Sequence, residues 1–259
     1  MKIGSIGFIG GGRITRIFLG GWKRAGAMPG DVVVSDTNVE TLSKLKADFP
    51  GIAAAGDDNR KAAAASVVFL AVHPPVMGGV LDGLTGAIPK ETAVISLAPK
   101  FTLARISDAL GGHVRLARMI PNAPSLIGAG FNPMVFGDGM PKDVRGGLRE
   151  LLASLGECVE VAERKLEAYA LISGMGPTYL WFQLETLREL GRGFGLDDAD
   201  LTPALKRTVC GSARTLFESG LTPAQVTDLI PVRPLAEDED AIRECFRKRL
   251  PALFEKIKP

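Results

Sequence analysis

The feature that most constrains this chain lies at its start, in Ile6-Gly7-Phe8-Ile9-Gly10-Gly11-Gly12-Arg13-Ile14-Thr15. A β-rich apolar run over residues 2–9 ends in three glycines, and an amphipathic helical pattern over 14–25 opens at once. A strand that turns this tightly into a helix lets backbone approach a pyrophosphate, while the helix N-terminus offers N–H donors and the positive end of its dipole. Gly10, Gly11 and Gly12 are the candidate phosphate loop, with Arg13 and Ile14 opening the helix beside it. The pattern is Gly-x-Gly-x-x-Thr, so Thr15 stands where Gly or Ala would pack closest. A purely structural tight turn would show the same glycines; the strand and helix on either side favour dinucleotide binding.

The rest of the first 162 residues repeats the strand–helix rhythm. Strands are expected at 31–36, 66–72, 92–97 and 114–119, several of them near-continuous Val/Ile/Leu/Phe runs, as parallel strands covered on both faces require. Helical patterns at 39–48 and 103–110 fall between them. This alternation predicts an α/β fold with a doubly wound Rossmann sheet. Residues 121–141, rich in Gly, Pro and Asn, break the rhythm, and a helix at 142–155 with a short strand at 158–161 closes the domain. From 163 onward only helices are expected, at 164–173, 177–194, 198–219, 223–229 and 239–256. Thr222-Pro223 has the form of an N-cap followed by proline at the first helical position, and Gly220 sits where a helix C-terminus needs a left-handed residue. The expected division is therefore a dinucleotide-binding domain, 1–162, and an all-α dimerisation and substrate domain, 163–259.

Asp36 ends the second expected strand. A carboxylate there can accept hydrogen bonds from both ribose hydroxyls of NAD and would repel the 2′-phosphate of NADP, and no arginine follows in Thr37-Asn38-Val39 to compensate. NAD(H) is thus favoured over NADP(H), with Arg13 as a further phosphate contact that keeps the choice open. Asp36 serving only to cap the next helix is the simpler alternative.

Composition excludes several classes. The chain has 17 basic against 14 acidic side chains up to residue 162 and 14 against 15 after it, so neither part is a nucleic-acid surface. The longest apolar stretch, 62–72, is too short to cross a bilayer. Three scattered cysteines, which read as core residues, and two histidines form no metal-ligand pattern, so no metal is expected. A cytoplasmic protein with no membrane or nucleic-acid partner is the expectation.

Further along, Asp58-Asn59, the segment Ala71-Val72-His73-Pro74, Met119-Ile120-Pro121-Asn122-Ala123-Pro124, Ser173-Gly174-Met175-Gly176-Pro177-Thr178-Tyr179 and Gly211-Ser212-Ala213-Arg214 occur in that order. Together with the glycine loop they resemble the pyrroline-5-carboxylate reductase family, whose members perform the last step of proline synthesis. The resemblance implies cofactor contacts from Asn59, Ala71, Val72, His73, Pro74 and Ala98, and intertwined C-terminal helices that make a homodimer. Four segments depart from the family pattern, the first being Arg13-Ile14-Thr15 where the family's glycine loop continues Asn-Met-Ala. His73 replaces a lysine, Ala98-Pro99-Lys100-Phe101 replaces Ala-Ala-Gly-Ile, and Pro231-Val232-Arg233-Pro234-Leu235-Ala236 stands where a Ser-Pro-Gly-Gly-Thr-Thr loop supplies substrate contacts.

The chemistry expected is reduction of a C=N bond, in pyrroline-5-carboxylate or a related cyclic imine. Hydride transfer to a protonated imine needs little acid–base machinery because the nicotinamide carries the hard chemistry. Candidate catalytic residues are Asn122, at the nicotinamide pocket rim, and Thr178, whose hydroxyl opens a helix beside Gly176. Gly176 and Arg233 are candidate substrate contacts, a guanidinium being well suited to a carboxylate. Two alternatives stand beside this reading. A non-catalytic dinucleotide-binding or regulatory paralogue would fit the altered 231–236 segment. A 3-hydroxyacid dehydrogenase would need a lysine and an asparagine on the long helix 177–194, which has neither.

Overall fold

The computed structural model describes residues 3–259. Lys2, in the first expected strand, lies outside the described residues. The chain divides into two compact units: one runs to Pro177 and takes in Phe254–Pro259, the other is Thr178–Leu253.

In the first unit β1 (Ile6–Ile9), α1 (Arg13–Arg24), β2 (Val32–Ser35), α2 (Val39–Asp48), β3 (Ala53–Ala54), α3 (Asn59–Ala63), β4 (Val67–Leu70), α4 (Pro74–Leu84), β5 (Ala93–Ser96), α5 (Leu103–Ala109) and β6 (Leu116–Met119) alternate as the sequence predicts. A 3-10 turn (Ala123–Ile127), β7 (Gly130–Phe131), β8 (Met134–Phe136), α6 (Lys142–Ala153) and β9 (Gly156–Glu157) follow. The main sheet has the order β3-β2-β1-β4-β5-β6-β8, parallel throughout except for β8, which runs antiparallel to β6. The chain therefore reverses direction beside β1, between β2 and β4, and this is the switch point where doubly wound sheets bind ligands.

The continuous apolar strands serve two faces. Val67 and Phe69 belong to one core with Phe8, Phe18, Trp22 and Leu148, whereas Val68 and Leu70 belong to the other with Met77, Leu81, Val94 and Ile106. On the first face Phe8 stacks on Phe69 with centroids 4.9 Å apart, and Trp22 closes the cluster by donating its indole N–H to the Leu151 carbonyl at 2.9 Å.

The region 121–141 is more ordered than its composition predicts. It carries β8, whose Met134–Phe136 backbone finds its partners on β6, while β7 pairs with β9 in a second, two-stranded sheet. The strand expected at 158–161 begins earlier, at Gly156, and the segment continues alongside Met134 through Val159 and Val161.

The segment 163–174 is not the single helix that periodicity suggested. It passes through a 3-10 turn (Glu163–Lys165), one turn of α-helix, α7 (Leu166–Tyr169), and a π turn (Ala170–Gly174). It also packs with the first unit, since Leu166 and Ala170 form a small core with Ile120, against which Val161 and Ile257 rest. The compact units thus part after Pro177, not after residue 162, because these apolar side chains face the sheet domain.

The second unit consists of α8 (Pro177–Gly193), α9 (Asp198–Glu218), α10 (Pro223–Asp228) and most of α11 (Glu239–Ile257). Thr222 and Gln225 form a reciprocal capping box on α10, and Gly220 is left-handed, both as expected. The expectation that all three cysteines are core residues fails here: Cys158 is half-buried, but Cys210 and Cys245 are exposed. The reason is that the helical unit encloses almost nothing by itself, Gly191 and Leu201 being its buried positions.

Candidate dinucleotide site

The glycine loop has the geometry that its sequence implies. Gly10 has φ +102°, and a Cβ on it would stand 2.7 Å from the Ala71 carbonyl oxygen, so both the backbone angle and the space demand glycine. A Cβ on Gly12, in contrast, would meet nothing within 4 Å, so this residue borders open space. Gly12 is also the N-cap of α1, with no side-chain cap and no acidic residue in the first turn. The first N–H groups of a helix have no partner within it, so α1 presents donors to an anion. Thr15, at the third small position, is fully buried and donates its hydroxyl to the Gly10 carbonyl at 2.6 Å. That bond holds the turn from beneath and explains how the loop tolerates Thr where the pattern has Gly or Ala.

The neighbouring candidates converge on the same edge. Asp36, at the end of β2, accepts from the Gly11 N–H at 2.7 Å through Oδ2 and from the Asn38 N–H at 2.8 Å through Oδ1. It does not cap α2 itself; Asn38 does, accepting from the Thr41 N–H. Asn59 begins α3 and accepts from the buried Ser35 hydroxyl at 2.7 Å, which fixes its amide against β2. Ala71 and Val72 follow β4 and lie against Gly10; His73 is the exposed N-cap of α4, and Pro74 is its first residue. Ala98, buried, follows β5. Arg13 is exposed on the first turn of α1, and Ile14, half-buried, packs on the core of the adjacent sheet face.

Asn122, after β6, is buried and its side chain is committed to backbone: Nδ2 donates to the Ser173 carbonyl at 3.2 Å, and Oδ1 accepts from the Phe131 N–H at 3.1 Å. It therefore binds the π turn to β7. Beneath it, Asn132 Oδ1 accepts from the Ser125 hydroxyl and from the Asn122 N–H. Burial, partly offset by a hydrogen bond to Asn132, pushes the nearby Cys158 thiol up to about 11. Gly176 packs so closely on the Ile172 carbonyl that a Cβ there would overlap it. Thr178 is an exposed residue of the first turn of α8, in the second unit. Arg233 belongs to the second unit too and pairs with Glu239, which also holds Arg243. The candidates up to Gly176 thus belong to the first unit, and Thr178 and Arg233 to the other.

Sequence reasoning missed one polar cluster. Arg118, in the middle of β6, is 1% exposed and pairs with Glu163 at 2.9 Å and with Glu167. The available signal was an arginine inside an apolar strand, together with two glutamates one helical turn apart.

Comparison with known proteins agrees with this geometry. Residues 5–100 match the family described as NADP oxidoreductase, coenzyme F420-dependent. The chain is 29% identical over 254 residues to a pyrroline-5-carboxylate reductase of Corynebacterium melassecola, covering 93% of each. Its fold superposes on a pyrroline-5-carboxylate reductase of Coxiella burnetii with a TM-score of 0.70 at 29% identity, over 99% of this chain and 95% of that one. The pyrroline carboxylate reductase of Plasmodium falciparum, solved with NADP bound, gives a TM-score of 0.83 at 20% identity over 100% and 98%, which shows a shared fold. With the glycine loop and the switch-point geometry, this agreement makes the chain similar to pyrroline-5-carboxylate reductases over nearly its whole length.

Proposed function

We propose that this protein is an NAD(P)H-dependent oxidoreductase that reduces the C=N bond of pyrroline-5-carboxylate or a closely related cyclic imine. The observation that carries the reading is the α1 N-terminus, uncapped by any side chain and opening beside Gly12 onto free space. In this reading Gly10–Gly12 and the first turn of α1, with Arg13 and Ile14, hold the pyrophosphate. Asp36, already oriented by two backbone N–H groups, takes the adenosine ribose. When bound, the nicotinamide supplies the hydride. The chain has then to position the imine and exclude water. Asn122, bonded to the Ser173 carbonyl and the Phe131 N–H, holds the rim of the pocket rigid. Asp36 favours NADH over NADPH through repulsion of the 2′-phosphate. Three unpaired cysteines suit a reducing, cytoplasmic compartment.

The test is oxidation of NADH and NADPH by the purified protein with pyrroline-5-carboxylate, beside a titration of each dinucleotide alone. Turnover that is faster with NADH is the expected result. Tight binding without turnover on any imine would instead favour a non-catalytic paralogue, the reading that the altered segment 231–236 supports. Asp36→Ser removes a charge whose repulsion of a doubly charged phosphate is worth about 1 kcal/mol or more in water-like surroundings, so NADPH affinity should rise roughly tenfold. An unchanged NADH/NADPH ratio in that variant would remove Asp36 from the cofactor site.

We propose further that the second unit is completed by a second copy of the chain. Leu180, Trp181, Phe182, Leu187, Leu190 and Phe194 of the α8 region are all exposed, Phe194 at 80%. A helical unit with so few buried positions lacks a core until a partner supplies one.

A further inference from the structure

Past the switch point, a dinucleotide in this fold lays its nicotinamide half over the ends of β4, β5 and β6. The loop after β5, residues 97–102, lies at that carboxyl end of the sheet, and its backbone is unusual. Lys100 has φ +80° and is the non-glycine residue with positive φ among the described residues. A β-carbon makes that conformation unfavourable, so something outside the loop holds it.

The holding group is Glu167. Its Oε1 accepts from the Lys100 N–H at 3.1 Å and from Arg118, while Glu163 accepts from the Leu103 N–H at 2.7 Å and from Arg118 as well. Arg118 and Glu167 are 1% and 2% exposed, so the bonds between them are shielded from water, while the Glu163 side chain reaches the surface. One buried arginine therefore fixes two glutamates, and the glutamates fix both ends of the bend between β5 and α5. The same segment, 163–174, is bound to the loop after β6 by Asn122. Both loops at the nicotinamide end are laced to one stretch of chain.

We propose that Glu167, held by Arg118, is a positioning residue for the nicotinamide end of the bound dinucleotide, acting through the Lys100 N–H on the loop after β5. The proposal rests on the dinucleotide reading above. Its readout is the difference between NADH and ADP-ribose, which has the same adenosine and pyrophosphate but no nicotinamide. In Glu167→Ala the loop loses its anchor, and NADH affinity should fall about tenfold while ADP-ribose affinity stays within about twofold. Glu167→Gln keeps an acceptor oxygen without the charge and should give an intermediate loss, about threefold, again for NADH alone. Removing one partner of a buried ion pair strains the fold. If Glu167→Ala does not fold, as judged by circular dichroism, Glu167→Gln decides alone. Equal weakening of both ligands, or unchanged NADH affinity in the folded variants, overturns the proposal. A wild-type protein that binds neither ligand overturns the dinucleotide reading, and this proposal with it.

Discussion

Lys100 illustrates how a single residue can be held against its own preference. The resemblance drawn from sequence placed a glycine of the family at this position, and the structure shows why glycine suits it: the backbone is left-handed. Lysine there costs roughly 1–2 kcal/mol relative to a comfortable conformation, offset in part by the bond to Glu167. Lys100→Gly should therefore raise stability by about 1 kcal/mol, read as a higher urea midpoint at unchanged slope; a lower midpoint would mean that the lysine side chain contributes more than its backbone costs. Cys158 gives a second residue-scale prediction. With its thiol pushed up to about 11 by burial, it is neutral at ordinary pH and should resist alkylation, whereas the exposed Cys210 and Cys245 react. Because the folded value exceeds the unfolded one, this thiol contributes stability that is present below pH 9 and fades as pH rises towards 11. Rapid labelling of all three cysteines in the native protein would contradict this.

Among the elements, the π turn is the piece that periodicity could not reveal. Residues 164–173 have helical spacing, but the Met175 N–H bonds back to the Ala170 carbonyl, five residues away, so one residue is inserted into the helical ladder. The Ser173 carbonyl, freed from a regular helical partner, is taken by Asn122. Asn122→Ala strands that carbonyl and the Phe131 N–H together, at a cost of about 2–4 kcal/mol, and should loosen the loop after β6. Hydrogen exchange at Phe131 that is no faster than in the wild type would contradict this. Glycines, strands β1, β2 and β4–β6 and the helix caps were legible because local chemistry alone dictates them. Asn122 stood out in the sequence as a candidate, but its role as a clamp was not legible, because its partners lie 9 and 51 positions away in the chain. The Arg118 cluster was hidden for the same reason, and β8 because an edge strand of three residues carries too little pattern to stand out among Gly and Pro.

For the whole molecule, the two units differ in how complete they are. The first has cores on both sheet faces; the second exposes Phe194 and Phe217 at 80% and 81%. If a second copy covers those side chains, the protein should elute as a dimer in light-scattering chromatography. Phe182→Glu on α8 should shift it towards monomer with the dinucleotide titration of the first unit preserved. A wild-type monomer at micromolar concentration would end the dimer proposal. Saturating dinucleotide should stabilise the first unit selectively, by about 2.7 kcal/mol at a hundredfold excess over Kd.

Ile257 rests on the small core of Ile120, Leu166 and Ala170, directly beneath the turn that Asn122 secures. During synthesis the main sheet has all its strands once the ribosome has passed Phe136, and domains fold as their chain emerges. The residues of that small core are all made by Ala170, but its cover by Ile257 comes only after every helix of the second unit has been made. A nascent chain thus completes its glycine loop and main sheet while the small core beside Asn122 still lacks its last cover.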